Sequence, residues 1–155
     1  MFLTEEQSES LKRVISKSIC RLYIDDIDLI ERKGMEQSIA FRFTLYLNEA
    51  LQTVKWVNDL QLDIDIEYNK NGLAPKRTPR RPNGTRPDVI IHKRGNNESN
   101  LLIIEIKGWW NQESREIDKI KLEDFTHQDG EYKYGLGVFL ELNINECIPV
   151  YFCGY

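Results

Sequence analysis

The sequence predicts an α/β (α+β) fold, a mixed central β-sheet flanked by helices, with elements in the order ααβββαββ. Three observations carry this. Apolar residues recur at helical spacing before residue 52 and again near 114–127. Residues 60–68 alternate strictly between apolar and polar. Two short, continuously apolar runs, at about 87–92 and 101–107, flank a turn-rich segment. Helical and strand periods in that sequence order favour helices layered on one sheet. At 155 residues the chain has the length of one domain, at roughly 100–200 residues per domain, so it reads as a single unit over 1–155.

The first helix spans about residues 5–23. Thr4-Glu5-Glu6-Gln7 is a capping-box pattern, and Leu11, Val14, Ile15, Ile19 and Leu22 form its apolar stripe. It is appended to a core at about 28–153. A second helix, about 28–52 and loosened at Gly34, has the stripe Ile39, Phe43, Leu47 and Leu51. In the strand at 60–68, Leu60, Leu62, Ile64, Ile66 and Tyr68 share one face, and Gln61, Asp63, Asp65 and Glu67 the other. Residues 69–85 hold two Asn-Gly pairs and three prolines, the composition of a long exposed loop. The strands at 87–92 and 101–107 are apolar at consecutive positions, as expected of central strands covered on both faces. A helix at 114–127 turns Ile117, Ile120 and Phe125 inward, and strands at about 134–142 and 147–153 close the chain. Gly135 and Gly137, inside the first of these, mark close backbone approach and not a dinucleotide fingerprint, which needs a third glycine.

Composition excludes several classes. No run of about 18 apolar residues offers a membrane span. The acidic N-terminus lacks the apolar stretch of a signal peptide. Three cysteines, an odd count without an export signal, read as a reduced cytoplasmic chain. Two scattered histidines do not make a histidine-based metal site. The net charge of −4 is unevenly spread. Between Lys70 and Arg94 eight basic residues face one acid, Asp88, a local +7 that leaves −11 for the rest. A basic segment on an acidic body is either a phosphate footprint or a solvated loop.

Four residues sit where charge is costly. Glu105 follows four apolar residues in Leu101-Leu-Ile-Ile-Glu-Ile-Lys107, and on a strand Glu105 and Lys107 share a face. A hairpin symmetric about Gly95–Asn100 pairs residues whose numbers sum to 193, which sets Ile91 opposite Leu102 and Asp88 opposite Glu105. Directly opposed residues have Cβ atoms about 4.5–5.5 Å apart. Two carboxylates so close call for a cation, and Mg²⁺ or Mn²⁺ suits oxygen ligands. Glu36 extends the Ile39–Phe43–Leu47 stripe and is either a third ligand or an acid at a helix N-terminus. The competing account of the whole set is structural ion pairing, Lys107 with Glu105 and Arg86 with Asp88. Lys121 either faces the site or lies on the surface, and Trp109 and Trp110 either stack on unpaired bases or pack against the 114–127 helix.

Arg86-Pro87-Asp88-Val-Ile-Ile-His92 and Leu101-Leu-Ile-Ile-Glu105-Ile-Lys107-Gly resemble the two signature stretches of the PD-(D/E)XK nuclease superfamily. Further features resemble a group of small bacterial members. These are Glu36 with Ile39-Ala-Phe-Arg42, Glu67-Tyr-Asn-Lys70, the helix with Asp118, Lys121, Leu122 and Thr126, and Tyr132-Lys-Tyr134. The resemblance covers about residues 31–142 and implies a restriction-endonuclease-like core. It implies that Asp88 and Glu105 hold Mg²⁺ or Mn²⁺, that Glu36 completes or orients the site, and that Lys107 positions or activates the attacking water and offsets phosphate charge. The expected activity is metal-dependent hydrolysis of phosphodiester bonds, with DNA as substrate. Arg77, Arg80, Arg81, Arg86 and Lys93 are the candidate backbone contacts. A non-catalytic binding or protein-interaction module on the same fold is the alternative, and a homodimer or protein partner would help so small a chain select its substrate.

Overall fold

The N-terminal helix is fixed by its cap. Thr4 Oγ1 accepts from the Gln7 N–H (3.2 Å), and Gln7 Oε1 accepts from the Thr4 N–H (2.9 Å). In this computed structural model, which describes residues 1–154, helix α1 runs Glu5–Asp25, with its apolar stripe buried. The helix expected at 28–52 is divided into α2 (Ile27–Glu31) and α3 (Glu36–Leu51). The break has a local cause. Lys33 takes left-handed backbone (φ 55°), and the Gly34 N–H closes onto the Leu29 carbonyl at 2.7 Å. A Cβ at Gly34 would lie 2.8 Å from that same oxygen, so only glycine makes the turn.

Helix α4 (Lys55–Asp59) was not foreseen. It takes the residues just before the alternating segment, and Gln61 (φ 51°) and Glu67 (φ 49°) turn the chain at either end. The strand therefore contracts from 60–68 to β1 (Asp63–Ile66), and Leu60 is exposed. Within the long loop, β2 (Lys70–Asn71) and β3 (Ala74–Pro75) make a small hairpin about Gly72. The remaining elements are β4 (Val89–His92), β5 (Leu102–Gly108), α5 (Arg115–Thr126), β6 (Leu136–Leu142) and β7 (Val150–Cys153).

The sheet order is β1-β4-β5-β6-β7, with β5–β6 parallel and the other pairs antiparallel. It is a mixed sheet flanked by helices, with β4 and β5 wholly buried as their composition required. The hairpin register follows the sum of 193: Val89 faces Ile104, Ile90 faces Ile103 and Ile91 faces Leu102. Val89, Ile91, Leu102, Ile104, Ile106, Leu136, Val138, Leu140 and Leu142 pack with α1 and α3 in the larger core. Ile90, Ile103 and Phe139 point the other way, onto Leu122 and Phe125 of α5 and onto Tyr132 and Tyr134. Helix α5 comes close to β6 at Gly137, where a Cβ would meet Thr126 Cγ2 at 3.0 Å and Phe152 Cβ at 3.2 Å. Among the described residues no helix is long and apolar enough to cross a membrane, and the three cysteines are free.

Candidate active site

Pleat parity decides what gathers beneath α5. Alternate residues of a strand face opposite sides, so Glu105 and Lys107 follow Ile103 onto the α5 face. Asp88 lies one residue before β4, just past the last recorded pair Val89–Ile104, and its charge acts on Glu105. Its backbone carbonyl accepts from the Glu67 N–H (3.0 Å), and its Oδ2 accepts from the Ile106 N–H (2.7 Å). The two acids thus stand together where the hairpin opens. A slip of one residue would have put them on opposite faces.

Glu36 arrives from the other side of the sheet. It is the first residue of α3, whose stripe packs on the opposite core, and it reaches over the end of β5. Its Oε2 accepts from the Gly108 N–H and its Oε1 from Asn111 Nδ2, both at 2.6 Å. Glu36 therefore fastens the strand's end and the following turn. Both of its carboxylate oxygens are thus engaged by the protein itself.

The structural ion pairs weighed from sequence are not the ones formed. Glu105 pairs with Lys121, Nζ to Oε2 at 2.7 Å. Lys107 pairs with Asp118 at 2.9 Å and Glu113 at 3.2 Å, and Arg86 with Glu67 at 3.6 Å. Asp118 and Lys121, one helical turn apart, were named by the resemblance, whereas the hydrophobic pattern of α5 did not turn them inward. Ile117, expected inward, is exposed, whereas Asp118, Lys121, Leu122, Phe125 and Thr126 are buried. The spacing of those five residues along one helix face was the available signal.

Glu105 is 1% exposed, Lys107 and Asp118 6%, and Lys121 8%. Burial, with the Asp88 charge second, pushes the Glu105 carboxyl well above its usual range. Burial likewise pushes Asp88 up to about 6, against the opposing Ile106 hydrogen bond and the Lys121 charge. Burial alone would lower Lys107, but Asp118 and Glu113 outweigh it and keep the ammonium above its ordinary value. Glu36, Asp88, Glu105 and Asp118 against Lys107 and Lys121 leave two formal negative charges in the cluster.

Among the described residues no three His, Cys, Asp or Glu side chains are grouped to enclose a metal by themselves. The donors present nevertheless fit a hydrated divalent ion. Glu105 Oε1 is buried with no hydrogen-bond partner, and the Asp88 charge acts on that carboxyl. Mg²⁺ commonly takes one or two carboxylates and keeps several waters. Asp88 and Glu105 would hold it.

The basic residues divide. Arg86 is exposed two residues from Asp88 and borders a groove of about 290 Å³ with Asn69, Pro75, Asn83, Gly84 and Thr85. Arg77 and Arg81 make no ion pair among the described residues. Arg80 is committed to α5: its Nε donates to Asp124 Oδ1 (2.6 Å) and its Nη2 to the Ile120 carbonyl (3.2 Å), and Thr78 Oγ1 donates to Asp124 Oδ2 (2.6 Å). The 69–85 segment, expected as a long exposed loop, is docked on that helix through Thr78 and Arg80. Lys93 donates to the Gln61 carbonyl (3.0 Å) at the other end of β4, about 16 Å of strand from Asp88. Arg94 pairs with Asp65, which also contacts His92 at 2.9 Å, so the acids of β1 are paired. Trp109 Nε1 donates to the Ile30 carbonyl, and both tryptophans pack against the α1–α3 core, not against α5.

Comparison with protein-family models, curated proteins and solved structures gives no significant match to this chain.

Proposed function

We propose that this protein is a divalent-metal-dependent nuclease that hydrolyses phosphodiester bonds in DNA, on a restriction-endonuclease-like core. The observation that carries the reading is the orphaned Glu105 Oε1, buried near Asp88. A buried acid beside a second acid is unfavourable by itself, and a divalent ion offsets both. Bound there, Mg²⁺ or Mn²⁺ would supply a Lewis acid and a more acidic water. The chain's own residues define the rest. Asp88 and Glu105 supply oxygen ligands. Glu36 holds the end of β5 by its grip on Gly108, which fixes where Lys107 emerges. Lys107, kept protonated by its carboxylate partners, presents positive charge to a phosphate and does not take a proton from water. Arg86 stands at the mouth of the site for a flanking phosphate, with Arg77 and Arg81 on the adjoining segment.

The test is a cleavage panel with supercoiled plasmid, single-stranded DNA and structured RNA, each with Mg²⁺, Mn²⁺ or EDTA. Metal-dependent cleavage that disappears in folded Glu105→Ala and Asp88→Ala supports the reading. Unchanged cleavage in either variant overturns it. The second reading, a module that binds without cleaving, draws on the Lys121–Glu105 and Lys107–Asp118 pairs, which already balance part of the cluster. It predicts wild-type protein that neither binds millimolar Mg²⁺ nor cleaves any of the three substrates.

A further inference from the structure

Lys121 occupies the ligand that the proposed metal needs. Its Nζ lies 2.7 Å from Glu105 Oε2, inside the protein, with the two side chains 10% and 2% exposed. The other oxygen of that carboxylate has no partner. A divalent ion on Oε1 and an ammonium on Oε2 would share one carboxylate a few ångströms apart, where like charges repel strongly in a poorly solvated interior. A second acceptor is already in place. Asp118, one turn earlier on α5, holds Lys107 through Oδ2 at 2.9 Å, and its Oδ1 lies 3.8 Å from Lys121 Nζ. The Arg86 carbonyl is 3.5 Å away on the same side. Lysine's four-carbon stem lets the ammonium swing between such acceptors without moving the helix.

We infer that Lys121 is an internal cation that holds Glu105 until a divalent ion binds and then transfers to Asp118, so that metal entry and lysine departure form a single exchange. The inference rests on the proposed metal site and adds a positioning residue to it. In the metal-free protein Lys121 keeps a buried carboxylate neutralised. In the loaded protein the same ammonium, relocated onto Asp118, stands with Lys107 on the α5 side of the site.

The exchange is read by binding, not by turnover. Mn²⁺ titration calorimetry on the full chain compares wild type, Lys121→Gln and Glu105→Gln. Removing the competing ammonium in Lys121→Gln is expected to tighten Mn²⁺ binding roughly tenfold. Its metal-free melting temperature should fall, and the rise caused by saturating Mn²⁺ should exceed that of wild type. A folded Lys121→Gln that binds Mn²⁺ no more tightly than wild type overturns the exchange while leaving the metal site standing. Wild type whose Mn²⁺ isotherm is flat, or is unaltered in Glu105→Gln, removes the metal site and the exchange together. Should Lys121→Gln fail to fold, wild-type protein still decides. The NMR coupling across the hydrogen bond from Lys121 Nζ to Glu105 Cδ should be present without metal and lost with Mg²⁺. Persistence of that coupling in Mg²⁺-loaded protein overturns the inference.

Discussion

The two faces of the sheet are built from the same strands and carry opposite chemistry. Toward α1 and α3, β4, β5 and β6 present only aliphatic side chains, from Val89 and Ile91 through Leu102, Ile104 and Ile106 to Leu142. Toward α5 the same strands, with the residue before β4, present Asp88, His92, Glu105, Lys107 and Glu141 among fewer apolar groups. A strand can divide labour this way because its side-chain period is two. The aliphatic face holds the sheet rigid. The α5 face can therefore keep buried charges at fixed positions, where looser packing would let water and rearrangement relieve them. Burial is nearly complete on both faces of β5, so the contrast lies in what is buried.

The largest expected effect tests the aliphatic face. Ile104 is fully buried there, and Ile104→Ala should lose about 2–5 kcal/mol of stability, read as a lower urea midpoint. A loss below 1 kcal/mol would mean that this face is not the mechanical support.

The next effect belongs to the charged face and has the sign of a strained acid. Asp88 titrates near an ordinary 3.8 when unfolded and at about 6 when folded. Between those values the folded chain retains a proton that the unfolded chain releases. Its contribution is thus present below about pH 4 and declines as pH rises toward 6, by at most about 3 kcal/mol. Asp88→Asn should flatten that part of the stability profile. A profile that rises through the same window would contradict the assignment.

Gly137→Ala tests how tightly α5 is held over β6. The new methyl would crowd Thr126 and Phe152, at an expected cost of about 1–3 kcal/mol and with a lower melting temperature. The smallest effect is at the rim. Arg80→Ala should cost about 0.5–1 kcal/mol, since Arg80 itself is half-exposed, yet it should speed trypsin cleavage after Arg77 by unhooking that segment from α5.

The contrast between the faces also explains what could be read from sequence. The sum of 193 gave the register of Val89–Ile91 on Leu102–Ile104 because the hairpin is short and its apolar runs leave one register that buries both strands. The stripes of α1 and α3 were legible because both helices rest on the aliphatic face. Helix α5 was misread at Ile117 because its inner face meets charges, so hydrophobic periodicity gave the wrong rotation. Lys121 was ambiguous for the same reason: a lysine discloses a buried partner only once the facing strand is known. Helix α4 and the β2–β3 hairpin are short, and tertiary context set them against the alternating pattern and the turn-rich composition around them.

Glu36 joins the site across 72 residues of chain, whereas Glu105, Lys107, Asp118 and Lys121 lie within one strand–helix step and Asp88 within the adjoining hairpin. Chain closures of such unequal length do not form at equal speed. The short-range pieces can meet as soon as the hairpin and α5 exist, while the Glu36 grip on Gly108 must wait for α3 to settle on the far side of the sheet. Assembly of the site is thereby tied to the docking of α3, and a refolding chain would carry its acids and lysines together before the strand that aims them is locked.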